Sequence, residues 1–207
     1  MTEDKLSSLS DEEDLSDDDL RYPDTVRTSA RLRDSLSKEL VEGVFDKVPQ
    51  EFVPEGAVQR CMNHKKVRTA LGIKIPNEEE EELINFIVKQ APKAFAVTVV
   101  AKLNANRAMR WLKQNGYTDD NLPVPAKTAV WQQSWQAEFY KAQWMFFATV
   151  FSTTNYGHNL QEAHIIPFVK KIGDVGHGSF GIVSQYAVHK DHMEPVSQAS
   201  RGNNATC

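Results

Sequence analysis

Cysteine is scarce in this chain, and long apolar runs are missing. Two cysteines among 207 residues, Cys61 and Cys207, are too few and too far apart for a disulfide framework or a cysteine-rich metal site. No apolar stretch approaches the roughly 20 residues of a membrane span, and so acidic an N-terminus is unlike a secretory signal. We therefore expect a soluble protein of a reducing compartment, the cytoplasm or the nucleus, with no membrane partner.

A concentrated basic face is also missing. The chain carries 24 lysines and arginines against 28 aspartates and glutamates, and nine acidic residues but one lysine fall within residues 1–20. A nucleic-acid-binding protein shows the opposite, a clustered basic surface. We expect no nucleic-acid partner.

Residues 1–24 are mainly Ser, Asp and Glu with isolated leucines. So little apolar surface cannot offset the entropy of ordering the chain, which predicts a disordered acidic tail. Ser8, Ser10 and Ser16 each precede an acidic residue by three positions, the pattern that acidophilic kinases favour. An unmodified, solubilising tail explains the same composition.

Residues 25–151 have the pattern of a helical module. Apolar residues recur there at intervals of three and four. Pro92 ends or kinks the third helix because proline lacks the N–H donor. A loop is predicted at 119–125, between the last two helices. The predicted helices cover 27–46, 55–71 with Gly72 as its stop, a third that begins at Pro76-Asn77 and its glutamates, 94–103, 104–114 and 129–151.

The last of these helices is the longest and the richest in aromatic residues. Trp131, Trp135, Phe139 and Phe146 follow one another at helical spacing. Burying one such side chain contributes roughly 1.5–3 kcal/mol, so this helix is expected to dominate the core.

The second helix has a basic exposed face. Its residues are Arg60, His64, Lys65, Lys66 and Arg68. A solvated face is the simplest interpretation, with binding to RNA or to the acidic tail as the alternatives.

A glycine-rich stretch from Ile172 to Val183 carries the strongest chemical signal. Gly176, Gly178 and Gly181 fit G-x-G-x-x-G, and Val183 completes the longer pattern of the loop that covers ATP phosphates in kinases. Glycine suits this task because the backbone must turn tightly and bring its N–H groups close to phosphate oxygens.

The flanks of this loop distinguish two kinds of nucleotide fold. A dinucleotide-binding fold opens a helix at its glycines, whereas here Ile182, Val183 and Tyr186 to Val188 favour a strand. An extended run also precedes the loop, from Ile165 to Val175. The sequence therefore predicts an antiparallel β-hairpin, and a glycine-rich turn in an ordinary hairpin remains the alternative.

Several segments together resemble one group of filamentous-fungal (ascomycete) protein kinase-like proteins of the Ser/Thr type. The resemblance covers roughly residues 50–192 and is strongest around the loop. It rests on Gly116 to Pro123, Gln143 to Phe151, His158, Leu160, Ile166-Pro167-Phe168, the 176–183 loop and Val188-His189.

The resemblance implies a mainly α chain that ends in the first hairpin of a kinase N-terminal lobe. Its divisions are a helical module at 25–151, a linker at 152–164, the start of the lobe at 165–192 and a disordered tail at 193–207. The implied nucleotide-binding residues are Val175, Gly176, His177, Gly178, Ser179, Phe180, Gly181 and Val183.

The remaining kinase motifs do not occur in these residues. Lys190 is the only lysine after Gly181, so no Ala-x-Lys occurs where the third strand of a kinase lobe should carry it, and His-Arg-Asp and Asp-Phe-Gly are missing. Phosphoryl transfer depends on those groups and on Mg²⁺. We therefore assign no catalytic or metal-binding residue, and expect a truncated, inactive kinase that does not bind ATP and Mg²⁺ tightly, although its full-length relatives would.

A second hypothesis makes the chain a non-catalytic helical interaction module whose hairpin binds a protein partner. His189 and His192 have the spacing of a metal pair, but no third ligand of suitable type lies nearby in the sequence, so a structural pair at the strand end is favoured.

Overall fold

A computed structural model describes residues 23–45, 49–126, 135–152, 160, 163–178 and 181–194. Helices dominate this part of the chain, and its strands form two antiparallel sheets of two strands each. The prediction of a mainly α fold with an antiparallel hairpin near the C-terminus is confirmed. The predicted N-terminal tail falls almost entirely outside the described residues.

The elements follow one another in a simple order. Eight α-helices and four strands are described: α1 Pro23–Thr28, α2 Ala30–Ser37, β1 Val41–Gly43, β2 Gln50–Phe52, α3 Ala57–Cys61, α4 His64–Ala70, α5 Glu78–Gln90, α6 Pro92–Val100, α7 Ala105–Gln114, α8 Gln136–Gln143, β3 Phe168–Gly178 and β4 Gly181–Val188. Single 3-10 turns occur at Asp119–Asn121, Trp144–Phe146 and Lys190–His192.

Helix α5 begins where local chemistry predicts. The Asn77 side chain accepts a hydrogen bond from the Glu80 N–H at 2.9 Å, and the Glu80 carboxylate accepts one from the Asn77 N–H at 3.0 Å. This reciprocal capping box satisfies two donors that the helix cannot satisfy itself. The buried face of the helix carries Leu83, Ile84 and Ile87, as predicted.

Helix α6 is buried and capped from a distant loop. Pro92 occupies its first turn, where a missing N–H costs nothing, and the axis turns by 101° between α5 and α6. The Asp119 carboxylate accepts hydrogen bonds from the Lys93 and Ala94 N–H groups at 2.8 and 2.9 Å. Burial raises the pKa of Asp119 above its ordinary value, although these hydrogen bonds oppose the shift.

No single described helix is both long and apolar enough to cross a membrane; α5 and α6 pass that test only as a bent pair.

The core lies between α6 and the helices around it. Phe95, Met109 and Leu112 are fully buried, together with Phe139 from α8. The Trp135 ring meets Phe139 edge-on at 6.0 Å and Trp111 at 5.7 Å between centroids. The expectation that Trp135, Phe139 and Phe146 enter the core is confirmed, whereas Trp131 lies outside the described residues.

The helix predicted at 27–46 is wrong in its second half. Helix α2 ends at Ser37, and Val41 then pairs with Phe52 in a short antiparallel sheet. Val44 and Phe45, predicted to face the core, are 40% and 52% exposed. Their helical spacing is coincidental, because pairing with residues 50–52 gives this backbone its hydrogen bonds.

The helix predicted at 55–71 is broken in the middle. Met62 adopts an extended conformation, and the Asn63 side chain caps a new helix by accepting the Lys66 N–H at 2.9 Å. The predicted buried residues Val58, Cys61, Val67 and Leu71 are all buried. Gly72 ends α4 with φ at +74°, a conformation that favours glycine.

The long helix predicted at 129–151 is also wrong, because α8 ends at Gln143. The buried Gln143 side chain accepts the Val124 N–H and donates to the Val124 carbonyl, both at 2.8 Å. The Met145 carbonyl then accepts the Val53 N–H, and the Thr149 N–H bonds to Ile165. These long-range hydrogen bonds replace the helical ones. Residues 127–134 lie outside the described part.

The capping box provides a test of helix α5. Replacing Asn77 by Ala is expected to lower the free energy of unfolding by about 1 kcal/mol, since one cap interaction is lost. Urea denaturation of the full chain measures the change. Asn85→Ala, in the middle of the same helix, is the matched control and should leave stability equal or slightly higher, because alanine is the better helix former. Equal loss in both variants would contradict the role of the cap.

Candidate functional site

The glycine-rich loop lies at the tip of an irregular hairpin. Strands β3 and β4 pair from Phe168 opposite Val188 to Gly178 opposite Gly181. The register shifts three times along β3, which leaves Val169, Ile172 and Val175 without an opposite residue. Such bulges increase the twist of a hairpin and redirect side chains. The predicted antiparallel pairing is confirmed, and Ser179 and Phe180 lie outside the described residues.

Apolar side chains near the tip are exposed. Val175 and Val183, the residues expected to enclose an adenine ring, are 64% and 61% exposed, and Ile172 and Ile182 are 55% and 61% exposed. Large apolar side chains that are exposed near one another in the chain mark a candidate interaction surface. We call Ile172, Val175, Ile182 and Val183 the hairpin patch.

Gly181 and Gly176 differ in whether the backbone conformation requires glycine. Gly181 has φ at +155°, where a side chain would be strained. Gly176 has no such conformation, and a Cβ built there meets its nearest neighbour, the Val183 Cβ, at an ordinary 4.0 Å. The fold therefore requires glycine at 181 but not at 176.

Two charged side chains of the hairpin, Asp174 and Lys171, form an ion pair. Asp174 accepts the Lys171 ammonium at 2.7 Å and the Ser184 hydroxyl at 2.6 Å. These contacts hold the pKa of Asp174 below its ordinary value, and the same contact raises the pKa of Lys171. Both side chains are exposed to water, so the pair orients Lys171 more than it stabilises the fold.

Aromatic rings fasten the base of the hairpin to the helical module. The Phe168 ring stacks on Tyr186 at 4.8 Å and on Phe151 at 6.1 Å, and Phe45 meets Phe168 edge-on at 5.4 Å. The Val44 N–H donates to the Phe168 carbonyl at 2.8 Å. The base is thus packed while the tip is exposed.

His192 completes this attachment. Its ring is buried, and Nδ1 lies 3.1 Å from the Thr149 carbonyl while Nε2 accepts the Glu55 N–H at 3.2 Å. A neutral ring protonated on Nδ1 satisfies both contacts at once. Burial lowers the pKa of His192, against a smaller opposing effect of the bond to Thr149.

The two histidines after the hairpin are therefore structural. Both His192 nitrogens are engaged with the backbone, and the His189 Nδ1 accepts the Asp191 N–H at 3.3 Å. Among the described residues, no group of three or more His, Cys, Asp or Glu side chains is placed to hold a metal ion.

A cavity of about 310 Å³ has Glu55, Lys93, Phe147, Thr149 and His164 among its lining residues. Lys93 forms an ion pair with Glu55 at 3.1 Å and lies 5.3 Å from the centre of the Phe147 ring. Thr149 is one of the lining residues, and its hydroxyl is buried with no partner within the described part of the chain. The cavity has the polarity to hold water or a small polar molecule.

Sequence reasoning located the loop but not the residues that hold it. Gly176, His177, Gly178 and Gly181 lie together at the tip, with Val175 and Val183 beside them. Phe168 entered only as part of the family resemblance, and the other two supporting residues were misinterpreted, because Phe45 fitted a helical pattern and His192 resembled one half of a metal pair.

Comparison of the chain with models of known protein families, with curated proteins and with solved structures gives no match.

Because His192 is buried, we expect the stability of the protein to depend on pH. Because its pKa is lower in the folded than in the unfolded chain, the unfolded state binds more protons as pH falls below about 6.5. The contribution of neutral His192 to the free energy of unfolding is therefore complete above that pH. It is lost as the pH falls towards the pKa that His192 has in the folded chain. His192→Gln should lower the free energy of unfolding by roughly 1–3 kcal/mol at neutral pH.

Urea denaturation between about pH 7.5 and about pH 5.5 measures this effect. The original chain should lose more stability across this range than His192→Gln does. His189→Gln is the matched control and should keep the pH dependence. The same slope in the original chain and in His192→Gln would contradict the assignment.

Proposed function

We propose that this chain is the N-terminal region of a kinase-like protein. In this proposal the helical module presents a hairpin that forms the first two strands of a nucleotide-binding lobe, and these 207 residues do not transfer phosphate themselves. The hairpin patch and the unpaired edges of a two-stranded sheet are then surfaces that further strands cover.

Gly176 is the observation that carries the proposal. Glycine weakens a strand because it gains no packing and loses more backbone entropy than other residues. At Gly181 the backbone conformation accounts for that cost, but at Gly176 neither conformation nor space does. Gly173 likewise has no local requirement for glycine, but it lies outside the G-x-G-x-x-G spacing. Within that spacing, at Gly176, the close approach of another group to the backbone is the role that glycine has in a phosphate-covering loop.

The charges of the hairpin favour weak nucleotide contact without chemistry. Phosphoryl transfer needs a lysine on the phosphates, carboxylates that hold Mg²⁺ and a catalytic aspartate. Lys171 is engaged with Asp174, and Lys190 belongs to the 3-10 turn that leads to the buried His192. We expect contact with ATP to depend on backbone N–H groups and on Val175 and Val183.

Substitution of the loop glycines tests this role. Gly176→Ala should leave the free energy of unfolding unchanged or raise it by up to roughly 0.5–1 kcal/mol, yet weaken the response of the loop to ATP. Gly173→Ala is the matched control, because a Cβ there meets no atom within 4 Å and lies away from the loop. Amide chemical shifts of residues 175–183 during titration with Mg²⁺-ATP provide the measurement.

Three results together constitute the prediction. ATP shifts the loop amides of the original chain and of Gly173→Ala, it shifts those of Gly176→Ala less, and no radiolabelled phosphate reaches a protein acceptor. An equal shift of the loop amides in Gly176→Ala and Gly173→Ala would contradict the role proposed for Gly176. Magnesium-dependent phosphorylation by the purified chain would contradict the absence of catalysis.

A second function, protein binding through the hairpin, is favoured by the hairpin patch itself. Its four residues are each more than half exposed, while the aromatic base holds the hairpin in place. An exposed strand edge accepts a strand of a partner by backbone hydrogen bonding, and exposed apolar side chains add affinity. This function needs no nucleotide.

Charge substitution in the hairpin patch, with partner binding measured in the absence of nucleotide, tests the second function. Val175→Asp with Val183→Asp should reduce binding of a protein partner at least roughly tenfold, since two buried apolar contacts are lost. Ile75→Asp is the matched control, because Ile75 is 88% exposed and lies far from the hairpin in the sequence. Titration calorimetry of purified partner measures the change, and equal affinity in the two variants would exclude the hairpin patch as the binding surface.

A further inference from the structure

A groove with a basic rim lies between helices α2 and α4. It has a volume of about 360 Å³, with Leu32 and Ala70 as buried residues of its wall. Thr28, at the end of α1, closes one side and donates its hydroxyl to the Ala70 carbonyl at 2.9 Å. We call this feature the basic groove; its other lining residues are Arg31, Ser35, Asn63, Lys65, Lys66 and Thr69.

Three cations of the basic groove lack a counter-ion within the described part of the chain. Arg31 comes from α2, and Lys65 and Lys66 come from α4; all three are exposed, and none forms an ion pair there. Of the residues that the structure describes, no acidic one lines the groove. Three like charges around one depression repel each other and attract a polyanion.

The neighbouring basic residues behave differently. Arg60 lies 3.2 Å from Glu39, and His64 lies 2.8 Å from Glu81. The basic face predicted on residues 60–68 is therefore divided. Arg60 and His64 have acidic partners, Lys65 and Lys66 line the groove opposite Arg31, and Arg68 lies outside the groove. The groove thus brings together three charges from two helices that have no acidic partner in the described part of the chain.

The sequence that precedes α1 has the complementary charge. Residues 1–22 hold nine acidic and two basic residues, with leucines at 6, 9, 15 and 20. Helix α1 is six residues long, which places Pro23 roughly 8 Å from Thr28 at the groove. The acidic run Asp17–Asp19 lies within six residues of Pro23, and an extended chain of that length reaches about 20 Å.

We propose that the acidic N-terminal segment, residues 1–22, docks in the basic groove of its own chain. Asp17, Asp18 and Asp19 pair with Arg31, Lys65 and Lys66, and a leucine of the segment contacts the wall at Leu32. The covalent link gives the segment an effective concentration on the order of millimolar, so weak contacts suffice. This inference is independent of any nucleotide or partner at the hairpin.

A spin label on the N-terminal segment of the full chain tests the proposal. The label is attached at Ser16→Cys in a Cys207→Ser background, where Cys61 is buried and burial raises the pKa of its thiol, so that it reacts slowly. Paramagnetic broadening of amide signals should concentrate on residues 28–35 and 63–70. The broadening should weaken at about 1 M salt, where the Debye screening length is only about 3 Å.

Two charge variants complete the experiment. Arg31→Glu with Lys65→Glu and Lys66→Glu should lower the ratio of docked to free segment at least roughly tenfold. Lys38→Glu with Lys74→Glu and Lys89→Glu makes the same charge change at exposed positions outside the groove and should leave the broadening in place. Reversing Asp17, Asp18 and Asp19 to Lys in the first variant should restore it.

Three outcomes would overturn the proposal. They are broadening that is absent from the groove of the original chain, broadening that falls instead on the hairpin or another surface, and equal loss in the two triple variants. A docked state that the reversed segment restores supports it, because a general effect of net charge would not depend on position.

Discussion

The arrangement of this protein depends on one buried histidine. His192 follows the hairpin in the chain, yet its ring lies inside the helical module and contacts the Glu55 N–H and the Thr149 carbonyl. The Phe52 ring meets it edge-on at 5.1 Å. A buried polar group without partners costs about 1–3 kcal/mol, so these three segments are held to one another at this point. The place where the hairpin leaves the module follows from that constraint.

The same constraint divides the hairpin into two parts with different physics. Its base is covered by Phe45, Phe151 and Tyr186 and belongs to the folded body. Its tip carries the hairpin patch in water, with a glycine at 176 that the hairpin does not need. A packed base and an uncovered tip suit a surface that another group completes, whether that group is a nucleotide or a strand of a partner.

Local signals explain which predictions succeeded. Helix α5 begins at a capping box formed within four residues, and α6 begins at Pro92. The hairpin followed from β-branched residues around a glycine loop, since strand preference and turn chemistry act over short distances. Two long helices failed for the opposite reason. Val41 pairs with Phe52, and the Thr149 N–H donates to the Ile165 carbonyl, so distant partners took the backbone hydrogen bonds that a helix would have used.

The sequence alone determined the mainly helical class, the ends of α4 and α5, the hairpin with its glycine loop, and the separation of acid from base along the chain. The tertiary structure decided what those features do. Both ring nitrogens of His192 contact the backbone. Val175 and Val183 are exposed, and Arg31 lies opposite Lys65 and Lys66 at the groove. The physical reason is distance along the chain. Caps and turns form between residues three or four apart, whereas His192 and Glu55 are 137 positions apart, and no periodic pattern specifies such a contact.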